Sequence, residues 1–122
     1  MKKILLLALI FLSIISYAEY GVTVLDVEKG TPGSAWNGES YEEMTKIAMK
    51  YCKSKGGENC KVVAKFEDEC NTLSYSKDDK VYGVSVGVIR ENSINNSLLE
   101  CKNKGGKDCK VIFHTCMLDL AY

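Results

Sequence analysis

Beyond residue 15 the chain has no second long apolar run, and no cysteine stands directly after the first one. The first absence leaves nothing to hold the chain in a bilayer, which takes roughly twenty consecutive apolar residues. The second disfavours a lipid anchor. C-x-x-C is missing too, so a dithiol oxidoreductase has no redox centre to work with. Cysteines separated by seven, nine and seven residues are too widely spaced for a structural zinc site, which is built from C-x₂₋₄-C pairs. The single histidine, His114, has no free thiol to activate if the six cysteines pair, and it reads as a strand histidine on one sheet face. No glycine-rich loop opens a helix. The K-G-G motif follows one, at the wrong end for an anion.

What the chain does have begins at its N-terminus. Lys2 and Lys3 precede an apolar run from Ile4 to Ile15, and Ser16-Tyr17-Ala18 supplies small residues at a cleavage site. This is the pattern of a secretory signal peptide over residues 1–18, with cleavage expected after Ala18. A single domain of residues 19–122 remains, carrying fourteen basic and sixteen acidic residues, a net charge of about −2. That balance lacks the basic field of a nucleic-acid binder. Six cysteines in a small exported chain read as three disulfides.

A stretch of eleven residues is written twice. C-K-S-K-G-G-E-N-C-K-V (52–62) returns as C-K-N-K-G-G-K-D-C-K-V (101–111), identical at eight positions, 49 residues later. Upstream, the same offset lays Gly38 on Gly87 and Glu28-Lys29-Gly30 on Lys77-Asp78-Asp79. One constant register points to an internal duplication, with repeat one at about 20–69 and repeat two at about 70–118.

Each unit opens with a strand (Tyr20, Val22, Val24; Leu73, Tyr75), followed by a second extended segment (Ser34-Ala35-Trp36; Val81 to Ile89). A helix comes next. In the first copy Ser40-x-x-Glu43 is a capping box, and Met44, Ile47, Ala48, Tyr51 and Cys52 form one buried face. In the second copy Ile94, Leu98 and Cys101 make a weaker face, rotated by about one residue. Glycine pairs end both helices, where a left-handed cap is expected. K-V-V-A-K-F and K-V-I-F-H-T-C close the units as strands. The expected fold is α+β: a duplicated β-β-α-β unit with pseudo-twofold symmetry, largely antiparallel sheet and two helices.

Of fifteen possible connectivities, position favours Cys52–Cys60 and Cys101–Cys109 as local staples from helix end to strand start. Cys70 and Cys116 fall outside the repeat register, and Cys70–Cys116 is expected to bridge the two units.

Little in the chain carries chemistry. Glu67-Asp68-Glu69 and Asp78-Asp79 are carboxylate clusters in turns, read as solvated turns rather than as catalytic pairs or calcium loops. Eight of the fourteen basic residues surround the staples: Lys50, Lys53, Lys55, Lys61, Lys102, Lys104, Lys107 and Lys110. Should both loops share one edge, Lys53, Lys55, Lys102 and Lys104 make a basic patch for an envelope polyanion or an acidic partner. The alternative is that these lysines complement helix C-termini and keep the loops soluble. Trp36, flanked by small residues, is either an exposed anchor for a partner or a core residue.

Tyr20-Gly21, S-A-W-N-G-E-S (34–40), G-G-x-x-C-K-V-V (56–63), F-E-D-E-C (66–70), Tyr82-Gly83 and the second C-x₃-G-G-x-x-C together resemble a secreted bacterial family, domain of unknown function 4189. The likeness covers residues 20–116. It implies export and disulfides, and it assigns no catalytic residue. Family helices are usually alanine-rich, whereas this chain has Lys, Met, Asn and Ser there. The resulting expectation is an exported, non-enzymatic binding module without metal or cofactor, engaging a protein or an envelope component. An inhibitor of a wall-degrading or host enzyme is one alternative, and a hydrolase using Glu67 and Glu69 is another.

Overall fold

The computed structural model describes residues 18–117. The signal-peptide pattern falls almost wholly outside them. Strands β1 (Tyr20–Asp26) and β2 (Thr31–Gly38) are followed by helix α1 (Tyr41–Ser54) and strand β3 (Lys61–Glu67). The second half repeats the order as β4 (Cys70–Ser76), β5 (Val81–Gly87), α2 (Arg90–Asn103) and β6 (Lys110–Cys116). The fold is thus mixed α+β, two similar β-β-α-β halves with wholly antiparallel pairing. Each half makes a three-stranded sheet, ordered β2-β1-β3 and β5-β4-β6.

Residues 21–26 of β1 and all of β4 are buried, because each central strand is covered on both faces. A helix packs on the outer face of each sheet, α1 on β1 and β2, α2 on β4 and β5. The inner faces meet through Leu25, Leu73 and Tyr75, with Val63, Val84, Ile112 and Phe113 packed against them. Polar contacts cross the same interface. Thr23 Oγ1 donates to Asn71 Oδ1 at 2.6 Å, and Tyr75 Oη donates to the Val27 carbonyl. The layers therefore run helix, sheet, sheet, helix.

The glycine loops now have a physical account. Gly56 N donates to Lys53 O and Gly57 N to Cys52 O, the two bonds of a Schellman cap, and Gly105 and Gly106 do the same with Lys102 and Cys101. Gly56 and Gly105 have φ of 100° and 99°, which a side chain rarely tolerates. The second glycine of each pair is there for space. A Cβ on Gly57 would lie 2.6 Å from Cys52 Sγ, and one on Gly106 2.4 Å from Cys109 Sγ. Disulfides Cys52–Cys60 and Cys101–Cys109 lie directly beneath them.

Four expectations need correction. The register between halves is not constant. Hairpin turns close through Gly30 N to Asp26 O and Lys80 N to Ser76 O, and Gly33 and Gly83 occupy matching places against α1 and α2. The two hairpins are thus related by an offset of 50, the helices and staples by 49. The residue is dropped within β5, which has seven residues against eight in β2, at the place where β2 has a bulge and Asn37 at φ 65°. Next, the disulfide Cys70–Cys116 does not join the halves. It ties the start of β4 to the end of β6, residues directly opposite each other in the second sheet. Being outside the repeat register says only that the first half lacks the bridge.

The third correction concerns α2, which buries Ser93, Ser97 and Cys101; Ile94 and Leu98 flank that face half-buried. The helix has not rotated. Ser93, Ser97 and Cys101 are the counterparts of Met44, Ala48 and Cys52, and they face Thr72 and Ser74 where the first half has Val22 and Val24. Ser93 Oγ lies 2.8 Å from Thr72 Oγ1 and Ser97 Oγ 2.7 Å from Ser74 Oγ. An apolar helix–sheet contact has become a hydroxyl-paired one, which hydropathy reading cannot register. Finally, Tyr51 does not belong to the buried face; it is 51% exposed.

The halves also clamp their loops with carboxylates from different positions. Asp26, 1% exposed, accepts the backbone N–H groups of Glu58 and Asn59, and these hold its carboxyl below the ordinary range. In the second half Ser76 replaces it, and Asp79 accepts from Lys107 N and Ser76 Oγ, with the same downward effect. A carboxyl depressed by folding contributes stability that is present above its unfolded pKa, near about 4, and lost as pH falls through its folded value. Urea midpoints should therefore drop with acidification below about pH 4. That drop should become shallower in Asp26→Asn and in Asp79→Asn, and shallowest in the double variant.

Candidate functional site

Because α1 runs antiparallel to β2, its face at Met44, Ile47, Tyr51 and Lys55 overhangs the free edge of the first sheet. Cys52 Sγ approaches Thr31 O at one end, and a Cβ on Gly38 would meet Met44 at the other. β6 lies beneath the same edge and adds Ile112 and Phe113. Together with Pro32 to Trp36 these residues line an open groove of about 600 Å³. Trp36 is 41% exposed, and its ring stands 5.7 Å from that of Phe113, tilted at 51°. The lining is apolar and aromatic apart from Ser34 and the Lys55 ammonium, a mostly apolar concave surface with a few polar groups.

The residues singled out from the sequence do not share one surface. Trp36 and Lys55 line the groove. Lys53 lies nearby in the last turn of α1, exposed. Lys102 lies across the molecule, beside Leu98, Gly106 and Lys107. Lys104 pairs with Glu100 at 3.0 Å and sits 4.5 Å over the Tyr82 ring. Both glycine loops do lie at the hairpin-turn end, tied there by Lys29 to Gly56 O and by Lys107 N to Asp79. They occupy opposite outer layers, however, with both sheets between them. Carboxylates are interleaved as well, through the pairs Lys29–Glu58, Lys80–Glu28 and Lys110–Asp108.

The acidic cluster is the turn between β3 and β4. Asp68 accepts Glu19 N at 3.1 Å and Glu69 accepts Glu67 N at 3.3 Å, so two of its three carboxylates brace the backbone. His114 has a hydroxyl neighbour that the sequence did not suggest, Thr72 Oγ1 at 2.8 Å from Nδ1, next in line to Ser93. Thr72 is 0% and Ser93 2% exposed, so no substrate in solution reaches either oxygen. Burial, and then the nearby Arg90 charge, push His114 below its ordinary pKa, favouring the neutral ring within this buried chain of hydroxyls.

Tyr51, Ile47, Pro32, Ile112 and Phe113 were not marked as site residues by sequence reasoning. Tyr51 carried a signal: on a helix whose buried stripe is Met44, Ala48 and Cys52, its position lies off the centre of that stripe. Ile112 and Phe113 carried none, because only the stacking of the sheets brings β6 under β2. No curated protein and no solved structure matches the chain. The profile of a family described as a domain of unknown function, DUF4189, matches residues 20–116. Spanning nearly the whole described fold, that match places this chain in the DUF4189 family.

Proposed function

We propose that the protein is an exported, non-enzymatic binding module whose contact surface is the Trp36 groove. The groove itself carries the reading. Tryptophan, tyrosine and methionine side chains concentrate where a few residues supply most of the binding energy, and here they line one concave apolar surface. Three disulfides suit an oxidising compartment outside the cytoplasm. Together with the signal-like residues 1–18 they support export. No helix among the described residues is long and apolar enough to cross a membrane. The partner is a protein of the envelope or of the surroundings, with enzyme inhibition as one consequence of such binding.

Trp36 is the sole tryptophan, so its emission reports on this groove alone. Peptides enriched from a displayed random library should shift that emission. Trp36→Ala should weaken their binding by about 2 kcal/mol or more, the scale of an aromatic hot spot, without lowering the urea midpoint. Enriched peptides that bind Trp36→Ala as well as the parent protein would exclude the groove as the contact surface.

A further inference from the structure

The two halves treat their outer sheet edges differently. In β5 the Val84 N–H points away from β4 and is met by Glu100 Oε1 of α2 at 3.4 Å. Glu100 is in turn held by Lys104, which lies over Tyr82. This is an edge closed by charge, a common protection of sheets against strand pairing. The hairpin offset of 50 and the helix offset of 49 identify the counterparts in the first half. Val84 corresponds to Ser34, Tyr82 to Pro32, Glu100 to Tyr51 and Lys104 to Lys55.

The β2 edge has the same orientation but no such closure. Pro32 has no N–H to give, as suits an outward position on an edge strand. By the same alternation Ser34 turns its N–H and C=O outward, and beyond Ala35 the bulge at Trp36 and Asn37 ends the regular ladder. Among the described residues no side chain caps the Ser34 N–H, and Tyr51 has no carboxylate with which to do it. The overhanging face of α1 covers one side of this edge, while Phe113 and Ile112 with Trp36 cover the other. An added strand would therefore meet apolar surface on both of its faces. From Met44 to Lys55 the helix spans about 16 Å, the length of about five extended residues.

We propose that β2 takes up an extended segment of a partner protein as an additional antiparallel strand, apolar on both faces, with an acidic side chain at its C-terminal end opposite Lys55. The antiparallel direction continues the pairing found throughout both sheets, and charge then places the acid. Lys55 lies at the Thr31 end of β2, and an antiparallel strand reaches that end with its C-terminal residues. A Cβ on Gly56 would have nothing within 4 Å, so there is open space beside Lys55. The acid in this proposal is a side chain within a longer chain rather than a terminal carboxylate. Main-chain bonds hold such a strand and alternate side chains select it.

This inference rests on the binding reading above, and the test separates the two. Display-enriched peptides should share about five apolar residues followed by Asp or Glu. Amidating their C-termini should change nothing. Adding a peptide should slow hydrogen exchange at the Ser34 amide. Tyr51→Glu, which copies the Glu100 closure, should abolish uptake while leaving the urea midpoint in place. Lys55→Glu should weaken binding about tenfold, and a peptide with Lys in place of its acid should restore it. Trp36-dependent binding with unchanged Ser34 exchange and no effect of Tyr51→Glu would overturn strand addition and leave the binding module standing. Failure to enrich any Trp36-dependent peptide would overturn both. Protection of Ser34 that rises with protein concentration alone would make a second copy the occupant and overturn the proposal.

Discussion

Gly33→Ala and Gly83→Ala should each cost the fold at least about 3 kcal/mol, the upper range for overpacking a core. A methyl group on Gly83 would lie 2.0 Å from Ser97 O and 2.4 Å from Cys101 N. On Gly33 it would lie 2.2 Å from Ala48 O and 2.6 Å from Cys52 N. These neighbours are helix backbone, which cannot turn aside as a flexible side chain would. The helix must lift off its sheet, and the staple at Cys52 or Cys101 limits how far it can move. Gly87→Ala is the control. No atom lies within 4 Å of its added Cβ, so its effect should stay within about 0.5 kcal/mol. Urea unfolding of the three variants provides the comparison. A Gly83→Ala protein as stable as the Gly87→Ala protein would show that α2 does not sit this close to β5.

Replacing Cys70 and Cys116 together by Ala should cost about 4 kcal/mol, and replacing Cys52 and Cys60 about 2.5 kcal/mol, in the chain-entropy description. The difference comes from loop length, a separation of 46 residues against 8. Placement makes a second prediction. Cys70 and Cys116 pair across β4 and β6, so the variant should lose hydrogen-exchange protection in the second sheet first, at β6. A bridge between halves would instead loosen the contact of Leu25 with Leu73 and Tyr75, and both sheets would lose protection together. That uniform loss would contradict the arrangement described here.

The legible parts of this protein are local. Ser40 accepts Glu43 N and begins α1; glycine pairs end both helices; β3 and β6 start at the lysines of K-V-V-A-K-F and K-V-I-F-H-T-C. Each is decided by a few neighbours in the chain, through capping, positive φ or alternation, so the sequence alone determines them. The same is true of the doubled unit, since the Cys-to-Cys loop is read within nine residues. The hydroxyl-paired contact of α2 was misread because serine is polar by composition and buried here by partnership. Ser93 and Ser97 find Thr72 and Ser74 only after the strand and helix meet.

The candidate site was legible in one residue, Trp36, and its setting was not. Whether tryptophan at an edge is anchor or core depends on what packs over it, and that is Phe113, 77 positions away in the chain. The lysines show the same limit from the other side. Their repetition put them in one sequence pattern, while stacking two sheets between the helices put the copies on opposite outer layers. Sequence by itself determined the elements, their caps, the staples and the likeness of the two halves, because those are settled by interactions within about ten residues. Tertiary structure alone decided which edge is open and which is shut. Both edges have the same strand-and-helix grammar. The difference is that Glu100 meets the outward Val84 N–H while Tyr51, in the matching place, has no carboxylate to offer Ser34. Which helix residue stands beside which strand N–H is a matter of position across the fold rather than along the chain.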